Sequence, residues 1–236
     1  MTEQEFLQNI DECYDKGEGQ LAYDALKKIY NSNPSQQDNV EVLWRLARAT
    51  HQISAQFLAK DSKKKEMLLE GQKYAEKAVQ LYEKHLEAIK WAAVLTGALS
   101  NLLGTKDRIM QGYVFKNHLD KGLSIDPSEY LLLHMRGRFA YSVASLSWLE
   151  KSVASTLFAT PPKATFQEAL CDFLQVEMIR PNQWIENLLY LAKTYIAVSD
   201  KGNAAKYLKM ASQLPQVDDV DKEAMVEVKT LMKKYK

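Results

Sequence analysis

The stretch NLLYLAKTYIAVSDKGNAAKYLKMASQLP, residues 187–215, decides the fold. Leu188, Leu191, Ala192 and Tyr195 recur at the three- and four-residue spacing of one helical face. After the polar break SDKGN, Ala204, Leu208 and Ala211 do so again. Small residues let two antiparallel helices approach, and large ones fill the groove toward neighbouring pairs. Pro215 ends the second helix and lies 34 residues after Pro181.

Thirty-four residues is the period of the tetratricopeptide helix-turn-helix repeat. Large, large, small, aromatic, then small, large, small is that repeat's pattern. The N-terminus carries a second copy. Phe6, Ile10 and Cys13 lie on a first helix, Ala22, Leu26 and Ile29 on a second, with GEG at 17–19 as the turn and Pro34 as the stop. HLDKGLSIDP closes at Pro127 and ALCDFLQVEMIRP at Pro181 in the same manner. The fold class that follows is all-α, a tetratricopeptide-like array of antiparallel helix pairs forming a right-handed superhelix. Its pairs span 1–36, 38–86, 87–127, 128–181 with an insertion, and 182–215, in one domain 1–236 ending in a capping helix at 217–236.

The middle is irregular, because Pro34 to Pro127 is 93 residues and Pro127 to Pro181 is 54. A long helix is expected over 40–60, with Leu43, Leu46, Thr50, Ile53 and Phe57 on one side. DSKKKE at 61–66 reads as a polar connection to a partner helix over 66–86. Helices over 87–103 and 106–124 follow, with Thr105 as N-cap, then a long helix over 128–156, a ProPro break and a helix over 165–179. The last helix covers 219–235 and presents Ala224, Val228, Leu231 and Met232 to the array.

Composition agrees. In 236 residues there are 46% hydrophobic and 26% charged residues with only nine Gly and six Pro, which excludes disorder, collagen and a turn-rich β architecture. Thirty-one basic residues against 30 acidic ones remove the global positive field on which nucleic-acid binding depends. Cys13 and Cys171 do not make a disulfide framework, and the opening MTEQEF is not a secretory signal. The longest uncharged run, 91–105, is too short to cross a bilayer as a helix. Placement qualifies the balance: residues 1–40 hold three Lys against eight acids, residues 41–125 fourteen basic against nine acidic, and residues 201–236 eight Lys against five acids.

No cofactor or catalytic motif is present. His51, His85, His118 and His134 form no HExxH pair, no CxxC occurs, and there is neither a phosphate loop nor a nucleophile elbow, so no metal, no cofactor and no enzymatic activity are expected. The candidate partner-binding residues are cations on first helices of pairs: Arg45 and Arg48 in LWRLAR, Lys90, Arg136 and Arg138 in MRGRF, and Lys193. The tail lysines Lys229, Lys233, Lys234 and Lys236 come second. Arginine suits acidic partners because its planar fork binds both carboxylate oxygens. An inter-helix ion pair explains the same residues equally well, and a solvated surface accounts better for Lys63 to Lys65 and for the tail. Trp44, Trp91, Trp148 and Trp184 read as core. The low-charge stretch 139–162 reads as a buried helix, or else as the wall of an apolar groove.

Taken together, EVLWRLARA at 41–49, AIKWAAVLTG at 88–97, HLDKGLSIDP at 118–127 and above all HMRGRFAYSVASLSWLEK at 134–151 resemble the regulator of microtubule dynamics family. The likeness covers roughly 40–215. It implies a non-catalytic protein of the cytoplasm and cytoskeleton, at the mitotic spindle and spindle poles, supporting spindle organisation and chromosome segregation. Its implied partners are tubulin and microtubules, along with spindle or kinetochore proteins. Some relatives are anchored to organelle membranes by an N-terminal hydrophobic segment that this sequence lacks, so a soluble branch is expected. Lipid binding is also implied, which keeps a lipid or apolar-ligand carrier as an alternative. A further alternative is an adaptor that binds a partner peptide in the groove.

Overall fold

The computed structural model describes residues 2–157 and 163–235. The ProPro pair at 161–162 and Lys236 lie outside them. Among the described residues the chain is helical without strands, and it divides into two compact units, Met1–Asp126 and Pro127–Lys236.

The first unit contains α1 (Glu3–Asp15), α2 (Gly19–Ser32), a 3-10 turn (Pro34–Asp38), α3 (Val40–Ala55), α4 (Ser62–Leu81), α5 (Leu86–Ser100) and α6 (Thr105–Ile125). They pack as α1 with α2, α3 with α4 and α5 with α6, while α3 also touches α1 and α5. Leu26, Leu43, Leu46, Leu68 and Leu95 fill the core, interleaved with Ala22, Ala47, Ala75, Ala78 and Ala92. The α3 to α4 approach requires a glycine, because a Cβ on Gly71 would lie 2.1 Å from Thr50 Oγ1.

The second unit contains α7 (Tyr130–Ala144), α8 (Trp148–Leu157), α9 (Phe166–Ile179), α10 (Ile185–Ala197), α11 (Lys201–Ser212) and α12 (Asp219–Met232). Here α7 pairs with α9 and α10 with α11, and α12 packs against α10 and α11. Phe173, Leu188, Leu191 and Leu208 are fully buried at the centre. At about 1.5–3 kcal/mol for each large apolar side chain buried, such clusters supply most of the favourable free energy of folding.

The turns α1–α2 and α10–α11 are built alike. The N–H of Glu18 bonds Cys13 O at 2.8 Å and that of Gly17 bonds Tyr14 O at 3.1 Å; the N–H of Asp200 bonds Tyr195 O at 2.8 Å and that of Ser199 bonds Ile196 O at 3.0 Å. This is the Schellman closure, which needs a left-handed residue, here Gly17 at φ 74° and Ser199 at φ 65°.

Several element boundaries differ from the sequence reading. The helix expected over 40–60 stops at Ala55, where the N–H of Phe57 turns back to Ser54 O. The supposed polar connection at 61–66 is instead the first turn of α4, capped by the Asp61 carboxylate on the N–H of Lys63. α4 ends at Leu81, because His85 starts α5 by accepting the N–H of Ala88 on its ring Nδ1. Gly104, and not Thr105, is the N-cap of α6, and Pro34 opens a 3-10 turn. The helix expected over 128–156 breaks after Ala144, where the N–H of Ser145 still bonds Tyr141 O at 3.0 Å but that of Leu146 turns back to Val143 O at 3.3 Å. Consequently the 139–162 stretch is not a buried helix: among its described residues only Ala140 and Ala154 are buried. Of the tryptophans, Trp44 is buried, Trp91 is half-buried, and Trp184 is half-buried at the N-cap of α10; the Trp148 side chain lies outside the described residues.

Candidate functional site

In each unit, the first helices of successive pairs stand side by side and carry the candidate cations. In the first unit these are α1, α3 and α5. Arg45 of α3 is only 8% exposed. Its Nε and Nη2 donate to the two oxygens of Asp11 on α1 at 2.9 and 2.6 Å, and its Nη1 donates to Glu41 Oε2 at 2.7 Å. Burial favours the neutral guanidine, yet hydrogen bonds to Asp11 and Glu41 outweigh it and hold Arg45 above its ordinary pKa. Glu41 also accepts Trp44 Nε1 at 2.9 Å and contacts His85 Nε2 at 2.8 Å. Burial raises its pKa, but these bonds and that from Arg45 bring it below the usual carboxylate value. Arg48, one turn on, lies 3.8 Å from Asp15, with its guanidinium 4.3 Å above the Tyr14 ring. Lys90 pairs with Glu87 on its own helix.

In the second unit the row is α7, α10 and α12. Arg136 donates from Nε and Nη2 to both oxygens of Asp172 on α9, at 2.9 and 2.6 Å. Arg138 donates to Glu186 of α10 at 2.7 Å and lies 4.9 Å from the Tyr190 ring centre. Lys193 reaches Glu227 of α12 at 2.8 Å, over the rings of Tyr190 and Tyr141. Behind them His134 is buried against Trp184, with ring centres 4.1 Å apart. Asn187 Nδ2 donates to Phe173 O at 3.0 Å, so its Oδ1 faces His134 Nδ1 at 3.0 Å as the acceptor. His134 Nε2 is 3.7 Å from Glu186. Burial pushes Glu186 upward, but His134 and the charge of Arg138 win and lower its pKa.

All six first-choice cations are therefore engaged with acids, five of them across helices. Asp11, Asp172, Glu186 and Glu227 were not singled out from sequence. Of the six cations' pairings only Glu41 with Arg45, at i to i+4, and Glu87 with Lys90, at i to i+3, follow a helical spacing that sequence displays. The aromatic shelf of Tyr141 and Tyr190 was also missed. Lys229, Lys233 and Lys234 are exposed on or just after α12, and no carboxylate among the described residues pairs with them. Among the described residues no group of His, Cys, Asp and Glu is arranged for a metal ion, and no helix is long and apolar enough to cross a membrane.

A family model described as "Regulator of microtubule dynamics protein 1-3" matches residues 6–236. The chain belongs to the regulator of microtubule dynamics family. Within that family it is 39% identical to regulator of microtubule dynamics protein 1 of Caenorhabditis elegans over 82% of this chain and 84% of the relative. Against protein 1 of Bos taurus it is 32% identical over 98% and 72%. Against protein 3 of Xenopus laevis it is 34% identical over 96% of this chain and 48% of that longer relative. A solved tetratricopeptide protein of Thermus thermophilus, TTC0263, superposes with a TM-score of 0.65 at 14% identity, covering 97% and 98% of the two chains. MamA structures superpose at TM-scores of 0.53–0.56. This confirms the tetratricopeptide-like architecture, and the family name supports a microtubule-related role on a repeat scaffold.

Proposed function

We propose that this regulator of microtubule dynamics family member is a non-catalytic microtubule-associated scaffold of the cytoplasm and mitotic spindle. In this reading it supports spindle organisation and chromosome segregation by holding tubulin, and spindle or kinetochore proteins, on its helical-repeat surface. Family membership over nearly the whole chain carries the reading. The residues that favour an acidic, disordered tubulin tail are Arg136, Arg138 and Lys193, which keep part of their surface in solvent and lie beside Tyr141 and Tyr190. A tail carboxylate binds there by exchanging with Glu186 or Glu227, so affinity falls with salt. Arg45 is enclosed by its acids and contributes through the fold. The test is co-sedimentation with intact and tail-cleaved microtubules at rising salt. Weaker sedimentation after cleavage supports the tail model, and equal sedimentation overturns it.

A further inference from the structure

The corner joining α3 to α4 differs from both cation rows. Lys60, Lys63, Lys64 and Lys65 gather within six residues, and among the described residues none of them has a carboxylate within ion-pair distance, whereas the six inner cations all do. Lys60, Lys63 and Lys65 are exposed; Lys64 is half-buried and donates to Phe57 O at 3.2 Å. Asp61 is the nearest acid in sequence, and its Oδ1 is occupied by the N–H of Lys63 at 2.9 Å. Glu66 follows, exposed. Three consecutive lysines in the first turn of α4 stand at the positive end of a helix dipole, where cations are unfavourable and acids are preferred. At the apex Leu58 is 84% exposed, held by a closed turn in which the N–H of Asp61 bonds Leu58 O at 2.9 Å. The positive field extends inward: burial first and the charge of Lys64 second push His51 down to about 4.

We propose that this corner is a docking site for an acidic, disordered peptide segment of the tubulin-tail type, with Lys60, Lys63, Lys64 and Lys65 receiving carboxylates and Leu58 an aliphatic contact. It rests on the microtubule reading and moves the first contact from the paired inner cations to these unpaired ones. Charge complementarity is the reason for the choice of occupant. A polyanion gains from cations that have no internal competitor.

The experiment compares wild type, the triple variant Lys60→Glu/Lys63→Glu/Lys65→Glu, a control triple Lys28→Glu/Lys73→Glu/Lys84→Glu with the same charge change elsewhere on the first unit, and Leu58→Ala. Each is titrated with microtubules, with a labelled polyglutamate peptide and with phosphatidylserine vesicles. The corner triple is expected to weaken microtubule and peptide binding at least tenfold, Leu58→Ala two- to fivefold, and the control less than threefold. Because acids suit a helix N-terminus, the corner triple keeps or raises the melting temperature, which separates lost docking from lost folding. Equal loss in the two triples overturns the proposal. So does binding to vesicles without binding to peptide or microtubules, which would make the corner a membrane contact. A wild type that binds polyglutamate through these lysines but does not sediment with microtubules sinks the microtubule reading and leaves the acidic-peptide dock standing. Unchanged sedimentation of the corner triple does the reverse.

Discussion

Arg45 with Asp11 and Arg136 with Asp172 are bidentate pairs of nearly identical geometry, one in each unit, and they are buried from opposite ends. In the first unit the cation is hidden, its side chain 10% exposed against 38% for Asp11; in the second the acid is hidden, Asp172 at 7% against 37% for Arg136. What makes a pair indispensable is the member that cannot reach water once its partner is gone. Damage should therefore follow removal of the acids in the first unit and of the arginine in the second.

The largest effect is expected from Asp11→Ala combined with Glu41→Ala, which strands Arg45 and costs about 3–5 kcal/mol in denaturant unfolding. Asp11→Ala alone costs about 1 kcal/mol, since Glu41 still holds the guanidinium. Arg136→Ala, stranding Asp172, follows at about 3 kcal/mol, whereas the apolar replacements Arg45→Met and Asp172→Leu each stay within about 1 kcal/mol of wild type. If these replacements prove as harmful as stranding the charge, the comparison fails.

Acid separates the units next. His51 and His118 of the first unit are both pushed below the ordinary value of 6.5, by burial first and then by Lys64 and Lys121 respectively. Between pH 6.5 and about 4 the unfolded chain then binds more protons than the folded one, so stability falls as pH falls through this window. At about 1.4 kcal/mol per pH unit across that window, the contribution of His51 is at most on the order of 3 kcal/mol. In the second unit Glu186 acts lower, its stabilisation being lost only as pH drops through a value below 4.5. Hydrogen exchange at pH 5 should therefore show first-unit amides losing protection before those of the second. Simultaneous loss would contradict this order.

The smallest effect concerns the two matched turns. Ser199→Gly should stabilise the second unit by about 0.5–1 kcal/mol and Gly17→Ala destabilise the first by about 1 kcal/mol, read as opposite shifts in melting temperature. Shifts of the same sign would mean that the two turns are not equivalent.

These contrasts also mark what a sequence carries. Helix identity was legible in α1, α2, α9, α10 and α11, whose periodic apolar residues end at Gly17, Pro34, Pro181 and Pro215. It failed at Ala55 and Ser145, where no proline or glycine stands to mark the end of the helix. The candidate cations were found, but their state was not. Asp172 lies 36 residues from Arg136 and Asp11 lies 34 from Arg45, separations that only packing closes.

By itself, the sequence determined the helical class, the pairwise repeat and the family, because periodicity and composition are local properties of the chain. Tertiary structure alone decided which charges are consumed and which remain available. Whether a lysine meets a carboxylate depends on which helix is laid beside it, so Arg45 became a sealed structural pair, whereas Lys60, Lys63 and Lys65 were left facing water.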